Sequence, residues 1–145
     1  MKVRVVENQS LDEERITIEC PQYNQDIKDI IHLLKQREKT ITCQKEKSIY
    51  QIKITDIYYI ESVEDKTFVI TKDDVYQTSS RLYELEDLLK KHRIIRISKS
   101  CLLNIKYLES VRVLIYGKYE ATLINKERLI ISRKYMPAFK KEFGL

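Results

Sequence analysis

Residues 93–107 constrain the fold of this chain more than any other stretch, because they read R-I-I-R-I-S-K-S-C-L-L-N-I-K-Y. Successive side chains point to opposite faces of a strand, so Ile95 and Ile97 face a core while their neighbours point away. A second apolar run ends at Asn104. The stretch therefore predicts two strands joined by a polar turn, whose donors suit phosphate oxygens and base edges. The turn consists of Ser98, Lys99 and Ser100.

Short runs with the same alternation recur on both sides of this stretch and predict further strands. They are residues 50–55, 57–60, 67–71, 75–78, 108–116, 119–124 and 128–131. Residues 81–92 predict a helix, with Ser80 as its expected cap, and a last helical turn holds Tyr135 and Phe139. We therefore expect a β-dominated α+β fold, with about ten short strands in small antiparallel sheets and two or three short helices.

The first forty residues predict a separate β-β-α appendage, followed by a main domain at residues 41–145. Residues 2–6 and 15–19 alternate like strands, and a stripe of Ile27, Ile30, Ile31 and Leu34 predicts a helix capped by Asn24 or Asp26. The appendage is too short to be a phosphoacceptor receiver domain. Its apolar stripe either docks on the main domain or makes a dimer contact.

Positive charge is concentrated in the last third of the chain. Residues 90–145 hold 14 basic and 4 acidic side chains, whereas the whole chain carries a net charge of +5. A field of this kind is what a polyanion-binding face needs, because steering depends on the local potential. On charge alone, an ordinary lysine-rich surface explains the pattern equally well.

Catalytic chemistry has little support in the sequence. With only two glycines, the chain has no phosphate-cradling loop, and neither His32 nor His92 has metal-ligand spacing. We therefore expect no catalytic residues, no metal, no cofactor and no small-molecule substrate. No apolar run approaches the length of about 20 residues that spans a bilayer, so we expect a cytoplasmic protein.

Three motifs together resemble the LytTR family of DNA-binding domains. They are residues 58–62 (Y-Y-I-E-S), residues 93–107 and residues 130–135 (I-I-S-R-K-Y), in the family's order and spacing. The resemblance covers roughly residues 41–145. One position departs from the pattern, because Lys99 stands where the family often has histidine or asparagine, so the base preference there is left open.

The resemblance implies a stand-alone bacterial transcriptional regulator, without a receiver domain, that binds double-stranded DNA. Three loops, around residues 66–67, 98–99 and 133–134, would enter the grooves, since the acidic helix at residues 81–92 would be repelled by phosphates. Lys99 and Lys134 are the expected base contacts, and Arg96, Arg133, Lys106, Lys140 and Lys141 the expected backbone contacts. The implied DNA-binding residues are Lys66, Thr67, Arg96, Ser98, Lys99, Ser100, Asn104, Arg133, Lys134 and Lys140.

The family's sites are usually direct repeats, which implies two copies side by side and a possible homodimer on DNA. Some family systems have an inhibitory membrane protein, which is a second expected partner. Two other functions stay open. One is an RNA-binding module that uses some of the 10 tyrosines for stacking, and the other is a protein-interaction module that captures a regulatory partner at an exposed strand edge.

Overall fold

The computed structural model describes residues 1–37 and 40–144. The chain divides into two units, Met1–Arg37 and Glu38–Leu145. The boundary predicted between residues 40 and 41 stays a prediction about domain organisation. Among the described residues, no helix combines the length and the apolar character needed to cross a membrane.

The first unit contains one helix, α1, at Gln25–Arg37. Asn24 caps it as predicted, because its Oδ1 accepts a hydrogen bond from the Ile27 N–H at 3.1 Å. The two strands predicted at residues 2–6 and 15–19 are wrong, since residues 1–24 form no strand. Val3 and Val5 are 85% and 86% exposed, so the alternating side chains bury no face. Alternation yields a strand only where a partner strand and a surface to pack on are available.

The second unit contains all ten strands of the described chain, and every pairing is antiparallel, which confirms the predicted fold class. Seven strands form one sheet in the order β2-β1-β5-β4-β3-β7-β6, and three form a second sheet in the order β10-β9-β8. The strands are β1 Thr40–Lys45, β2 Ser48–Lys53, β3 Tyr59–Val63, β4 Lys66–Ile70, β5 Val75–Thr78, β6 Ile94–Ser98, β7 Cys101–Asn104, β8 Leu108–Val113, β9 Tyr119–Leu123 and β10 Arg128–Ile131.

Strand β1 was not predicted from the sequence, and the strand expected at residues 50–55 instead runs from Ser48 to Lys53. The two strands form a hairpin whose turn contains Glu46, with φ at 56°. Glycine or asparagine usually occupies such a position. Because the turn lacks both, the sequence contains no signal that separates the two strands.

Two helices complete the second unit, α2 at Leu82–Leu89 and α3 at Met136–Phe143. The expected capping of α2 by Ser80 is wrong. Ser80 instead donates its N–H to Thr78 Oγ1 at 3.4 Å, while Glu84 Oε1 accepts the N–H of Arg81 at the start of the helix. A side chain at position 80 is one residue too early to reach the free amides of the first turn.

The seven-stranded sheet is buried on both faces near β3, β6 and β7. Leu102 on β7 packs with Leu85 and Leu89 of α2 in one core. Leu103, which points the other way, packs with Leu123 of the small sheet and Phe139 of α3 in a second core. The large sheet is thus the middle layer of the second unit. Because a core lies on each of its faces, the ends of its strands are held in fixed positions.

Candidate nucleic-acid interface

The predicted donor-rich turn is the two-residue connection between β6 and β7. Ser98 pairs with Cys101, which leaves Lys99 and Ser100 exposed at the tip of the hairpin. Ser98 Oγ accepts the N–H of Ser100 at 3.3 Å. We call residues 98–100 the central loop. Its backbone is closed by local hydrogen bonds, and the Lys99 side chain projects into solvent.

The pairing of β6 with β7 shifts just before the central loop. Arg96 pairs with Leu102 but Ser98 pairs with Cys101, so Ile97 is the extra residue of a β-bulge. The extra residue of a bulge is left unpaired in the ladder, so its carbonyl oxygen is available to another donor. The free carbonyl oxygen of Ile97 accepts two hydrogen bonds from Ser132, from its N–H at 2.9 Å and from its Oγ at 3.3 Å.

Ser132 begins the third predicted loop, residues 132–134. A short turn at Arg133–Tyr135 follows and leads into α3. Arg133 and Lys134 are both exposed, and Lys134 Nζ lies 5.6 Å from the centroid of the Tyr135 ring. The bulge therefore attaches the Arg133–Lys134 pair to the central loop.

The first predicted loop, residues 62–67, is attached to the central loop from the other side. The N–H of Ser62 donates to the carbonyl oxygen of Ser100 at 2.8 Å. The hairpin turns at Glu64 and Asp65, both with positive φ, and places Lys66 in an exposed position. The three predicted loops thus meet at one end of the second unit.

Thr67 does not belong to this exposed surface, which disfavours its predicted role as a DNA contact. It is 4% exposed and lies between Ser62 of β3 and Thr78 of β5 in the middle of the sheet. The alternation of β4 explains the difference, because Lys66 and Thr67 are neighbours and point to opposite faces.

Asn104 is also buried, with 3% exposure, which disfavours its predicted contact with DNA. Its Nδ2 donates to the carbonyl oxygen of Ile57 at 2.8 Å, and its Oδ1 accepts the N–H of Lys106 at 3.0 Å. Both Asn104 and Lys106 lie at the end of β7 opposite the central loop, so the predicted backbone contact of Lys106 would have to be made away from that loop.

Arg96 supports the central loop from inside the protein. Its Nε donates to the carbonyl oxygen of Ser98 at 3.0 Å, its Nη1 pairs with Glu86 Oε2 at 2.8 Å, and its Nη2 donates to the carbonyl oxygen of Lys99. The side chain is only 18% exposed. All three nitrogens donate within the protein, which favours a positioning role for Arg96, and its predicted phosphate contact stays a prediction.

Lys140 lies beside the third loop. Its Nζ is 5.5 Å from the ring centroid of Tyr119, which pairs with Ile131 directly before Ser132. The predicted residues that share this end of the second unit are Lys66, Ser98, Lys99, Ser100, Arg133, Lys134 and Lys140. Because four lysines and an arginine project there, the arrangement suits a polyanion held at several points.

The residues connecting β8 to β9 belong to the same end and were missed by sequence reasoning. Arg133 lies against Gly117, since a Cβ added to Gly117 would be 2.9 Å from Arg133 Cδ. The sequence predicts a strand at residues 108–116 and a turn only at Gly117 and Lys118, but the strand ends at Val113. The sequence offered no signal for this loop, because Ile115 and Tyr116 continue the apolar run of the predicted strand.

Comparisons with known proteins agree with this geometry. The family profile "LytTr DNA-binding domain" matches residues 47–144. A solved LytTr DNA-binding domain from Bacillus cereus is similar with a TM-score of 0.70 and 22% identity, over 74% of this chain and 98% of that one, which shows a shared fold.

Full-length relatives occur in Staphylococcus aureus. A protein of strain NCTC 8325 and one of strain COL, each named an uncharacterized HTH-type transcriptional regulator, are 28% identical over 147 residues. These matches cover 100% of this chain and 99% of each relative. The profile match extends over most of the chain and includes all three loops. The chain therefore belongs to the LytTR family of DNA-binding domains.

Proposed function

We propose that this chain reads specific sequences of duplex DNA with the three loops that meet at one end of its main unit. As a member of the LytTR family, the chain is a DNA-binding regulator of transcription. The proposal adds which residues recognise the DNA and how they are held. Under the proposal, the protein is not an enzyme and acts in the cytoplasm, where bacterial DNA is found.

The observation that supports this proposal most strongly is the set of hydrogen bonds around the central loop. Ser62 and Ser132 each donate to a backbone carbonyl oxygen, of Ser100 and Ile97 respectively. Backbone attachment fixes the positions of the loops and leaves the outward side chains available. Recognition benefits from this arrangement, because groups held in place before binding lose less entropy when they bind.

The exposed side chains divide into two roles under the proposal. Lys99 and Lys134 project from loops and contact base edges, where a lysine can donate to guanine O6 and N7. Arg133, Lys140 and Lys141 contact the phosphate backbone and set the orientation of the protein on the duplex. Glu64 and Asp65, at the tip of the first loop, either repel phosphates or accept from cytosine N4.

The name of the staphylococcal relatives refers to a helix-turn-helix, but loop reading explains this structure better. In the described parts of the chain, strands separate each helix from the next, so no two helices form that motif. The exposed side chains of α2 include Tyr83, Glu84 and Asp87, and the two carboxylates would be repelled by phosphates. A recognition helix would need the opposite charge.

Salt dependence tests the proposal. The parent chain is first used to select a preferred duplex from a random-sequence library, and fluorescence anisotropy then gives the affinity at several salt concentrations. We expect log K to fall with log salt by about 0.9 for each phosphate neutralised. A duplex of unrelated sequence and a single-stranded RNA are the control probes. A flat salt response, or equal affinity for all three probes, would contradict the proposal.

Two further expectations from the resemblance stay proposals. Neighbouring copies would occupy direct repeats, which predicts that changing the spacing between repeats alters affinity. A membrane protein would inhibit the regulator, which predicts a stronger regulatory effect when that protein is removed.

A further inference from the structure

Three large apolar side chains are exposed at the connection between β8 and β9. Val113 is 69% exposed, Ile115 76% and Tyr116 81%. Single exposed apolar residues are normal on a protein surface, but three within four positions form a patch that calls for a partner. We call Val113, Ile115 and Tyr116 the apolar tip.

The apolar tip lies next to the third loop. Tyr119 of β9 pairs with Val113 on one side and with Ile131 on the other, so the tip and Ser132 leave the small sheet at the same end. Arg133 lies beside Gly117, the residue after Tyr116, because its Cγ and Cδ lie 3.2 Å and 2.9 Å from the position of a Cβ on Gly117. The apolar tip and the cations of the third loop therefore form one continuous surface.

The surroundings of the apolar tip are cationic. Lys118 lies two residues after Tyr116, and Arg133 and Lys134 lie in the adjacent loop, all exposed. Residues 113–119 and 132–141 contain no carboxylate side chain. A partner for this surface must offer apolar surface between anionic groups, and a groove of duplex DNA does so with sugars and base edges between two rows of phosphates.

We propose that Ile115 and Tyr116 insert into the minor groove beside the segment that Arg133 and Lys134 contact, and that they bend the duplex there. Apolar side chains that enter a minor groove press against base steps and kink the DNA toward the major groove. The inference rests on the proposed function, since it places the tip on DNA that the three loops already hold. It adds an apolar, salt-independent contribution to binding.

The test uses the full chain and the duplex selected with the parent. The variant Ile115→Ala/Tyr116→Asn removes the apolar groups, and asparagine keeps the left-handed backbone of Tyr116 accessible. Ile49→Ala is the matched control, because Ile49 is 74% exposed but lies on β2, the far edge of the large sheet. Anisotropy gives affinity and salt slope, and energy transfer between dyes on the two duplex ends gives the bend.

We expect the tip variant to lose affinity by about tenfold, the equivalent of leaving one large aliphatic side chain unburied. The salt slope should equal that of the parent, because no cation is removed. The bend should decrease, and Ile49→Ala should match the parent in all three measurements. If the double variant unfolds at a lower temperature, Ile115→Ala alone provides the same comparison.

Three outcomes would overturn the inference. A tip variant with parental affinity and bend shows that the tip does not contact the duplex. A variant that binds the duplex normally but no longer binds phosphatidylserine vesicles assigns the tip to an anionic membrane. If the parent selects no duplex, the proposed function fails and the inference with it. The parent's own behaviour distinguishes this result from the first two.

Discussion

The two ends of strand β7 are fixed by different kinds of hydrogen bond. At the far end, the side chain of Asn104 is buried and bonds to the backbone of Ile57 and Lys106. At the loop end, backbone carbonyl oxygens of Ile97 and Ser100 accept from Ser132 and Ser62. The far end therefore uses its polar side chain for the fold, whereas backbone groups join the segments at the loop end and leave the side chain of Lys99 exposed.

Aromatic packing strengthens the contrast at the far end. The rings of Tyr58 and Tyr107 stack with centroids 4.0 Å apart, and the Tyr107 hydroxyl donates to the carbonyl oxygen of Thr55. Burial raises the pKa of Tyr107, and the nearby Asp56 carboxylate raises it further, so the hydroxyl keeps its proton. Under the proposed function, stability and recognition belong to opposite ends of one sheet, and substitutions can test that separation.

The largest expected effect is on stability at the far end. Asn104→Ala should lower the free energy of unfolding by about 2–3 kcal/mol, because buried partners at Ile57 and Lys106 lose their hydrogen bonds. Urea denaturation measures this. Asn125→Ala is the matched control, since Asn125 makes an exposed hydrogen bond to the Glu127 N–H and should lose much less. A stable Asn104→Ala that no longer binds DNA would restore the original assignment of Asn104 as a DNA contact.

The next effect is on binding at the loop end. Lys99→Ala and Lys134→Ala should each weaken binding to the selected duplex by about 1–3 kcal/mol and relax specificity at particular base positions. Their thermal midpoints should stay at the parental value, because both side chains are exposed. Lys106→Ala removes the same charge at the far end and serves as the control. Equal losses for all three variants would mean that total charge matters and position does not.

Arg96 should affect both stability and DNA binding, and the expected loss of stability is smaller than for Asn104→Ala. Arg96→Met should lower the free energy of unfolding by about 1–2 kcal/mol, since Ser98, Lys99 and Glu86 lose a donor at a half-buried site. Affinity for the selected duplex should fall because the central loop loses its support. The salt slope should stay parental, whereas a slope reduced by about 0.9 would identify Arg96 as a phosphate contact.

The smallest effect should come from a single backbone contact. Lys140→Ala should weaken all duplexes by a similar factor and reduce the salt slope by about 0.9. Lys72→Ala, at an exposed position in the connection between β4 and β5, is the control and should leave the slope unchanged. Loss of specificity in Lys140→Ala would instead place Lys140 among the base contacts.

The strands around the central loop could be predicted because Ile95, Ile97 and Leu103 repeat with the period of a strand. The meeting of the three loops was predicted only through the family resemblance, since it depends on contacts between distant segments. Burial of Thr67 and Asn104 was missed for a related reason. Both residues are polar, and only the neighbouring strands and the backbone of Ile57 show that their polar atoms belong inside.

Arg96 shows a second limit of prediction from sequence. Its partners are Glu86 of α2 and the carbonyl oxygens of Ser98 and Lys99. In the sequence, an arginine that faces a phosphate cannot be distinguished from one that faces a carbonyl oxygen. The strands predicted at residues 2–6 and 15–19 are the opposite error, because the sequence predicts them and the structure does not contain them. Residues 2–6 have the right alternation, but nothing local indicates whether a partner strand exists.

The bulge at Ile97 limits how the target sequence of this protein can change. Under the proposed function, the distance between the bases contacted by Lys99 and Lys134 is set by one carbonyl oxygen, which belongs to the main chain and is independent of side-chain identity. Exchanging either lysine would alter which base is preferred at its own position. The number of base pairs between the two positions would stay the same. Regulators that share the bulge should therefore prefer different bases at the two contacted positions but keep the same number of base pairs between them.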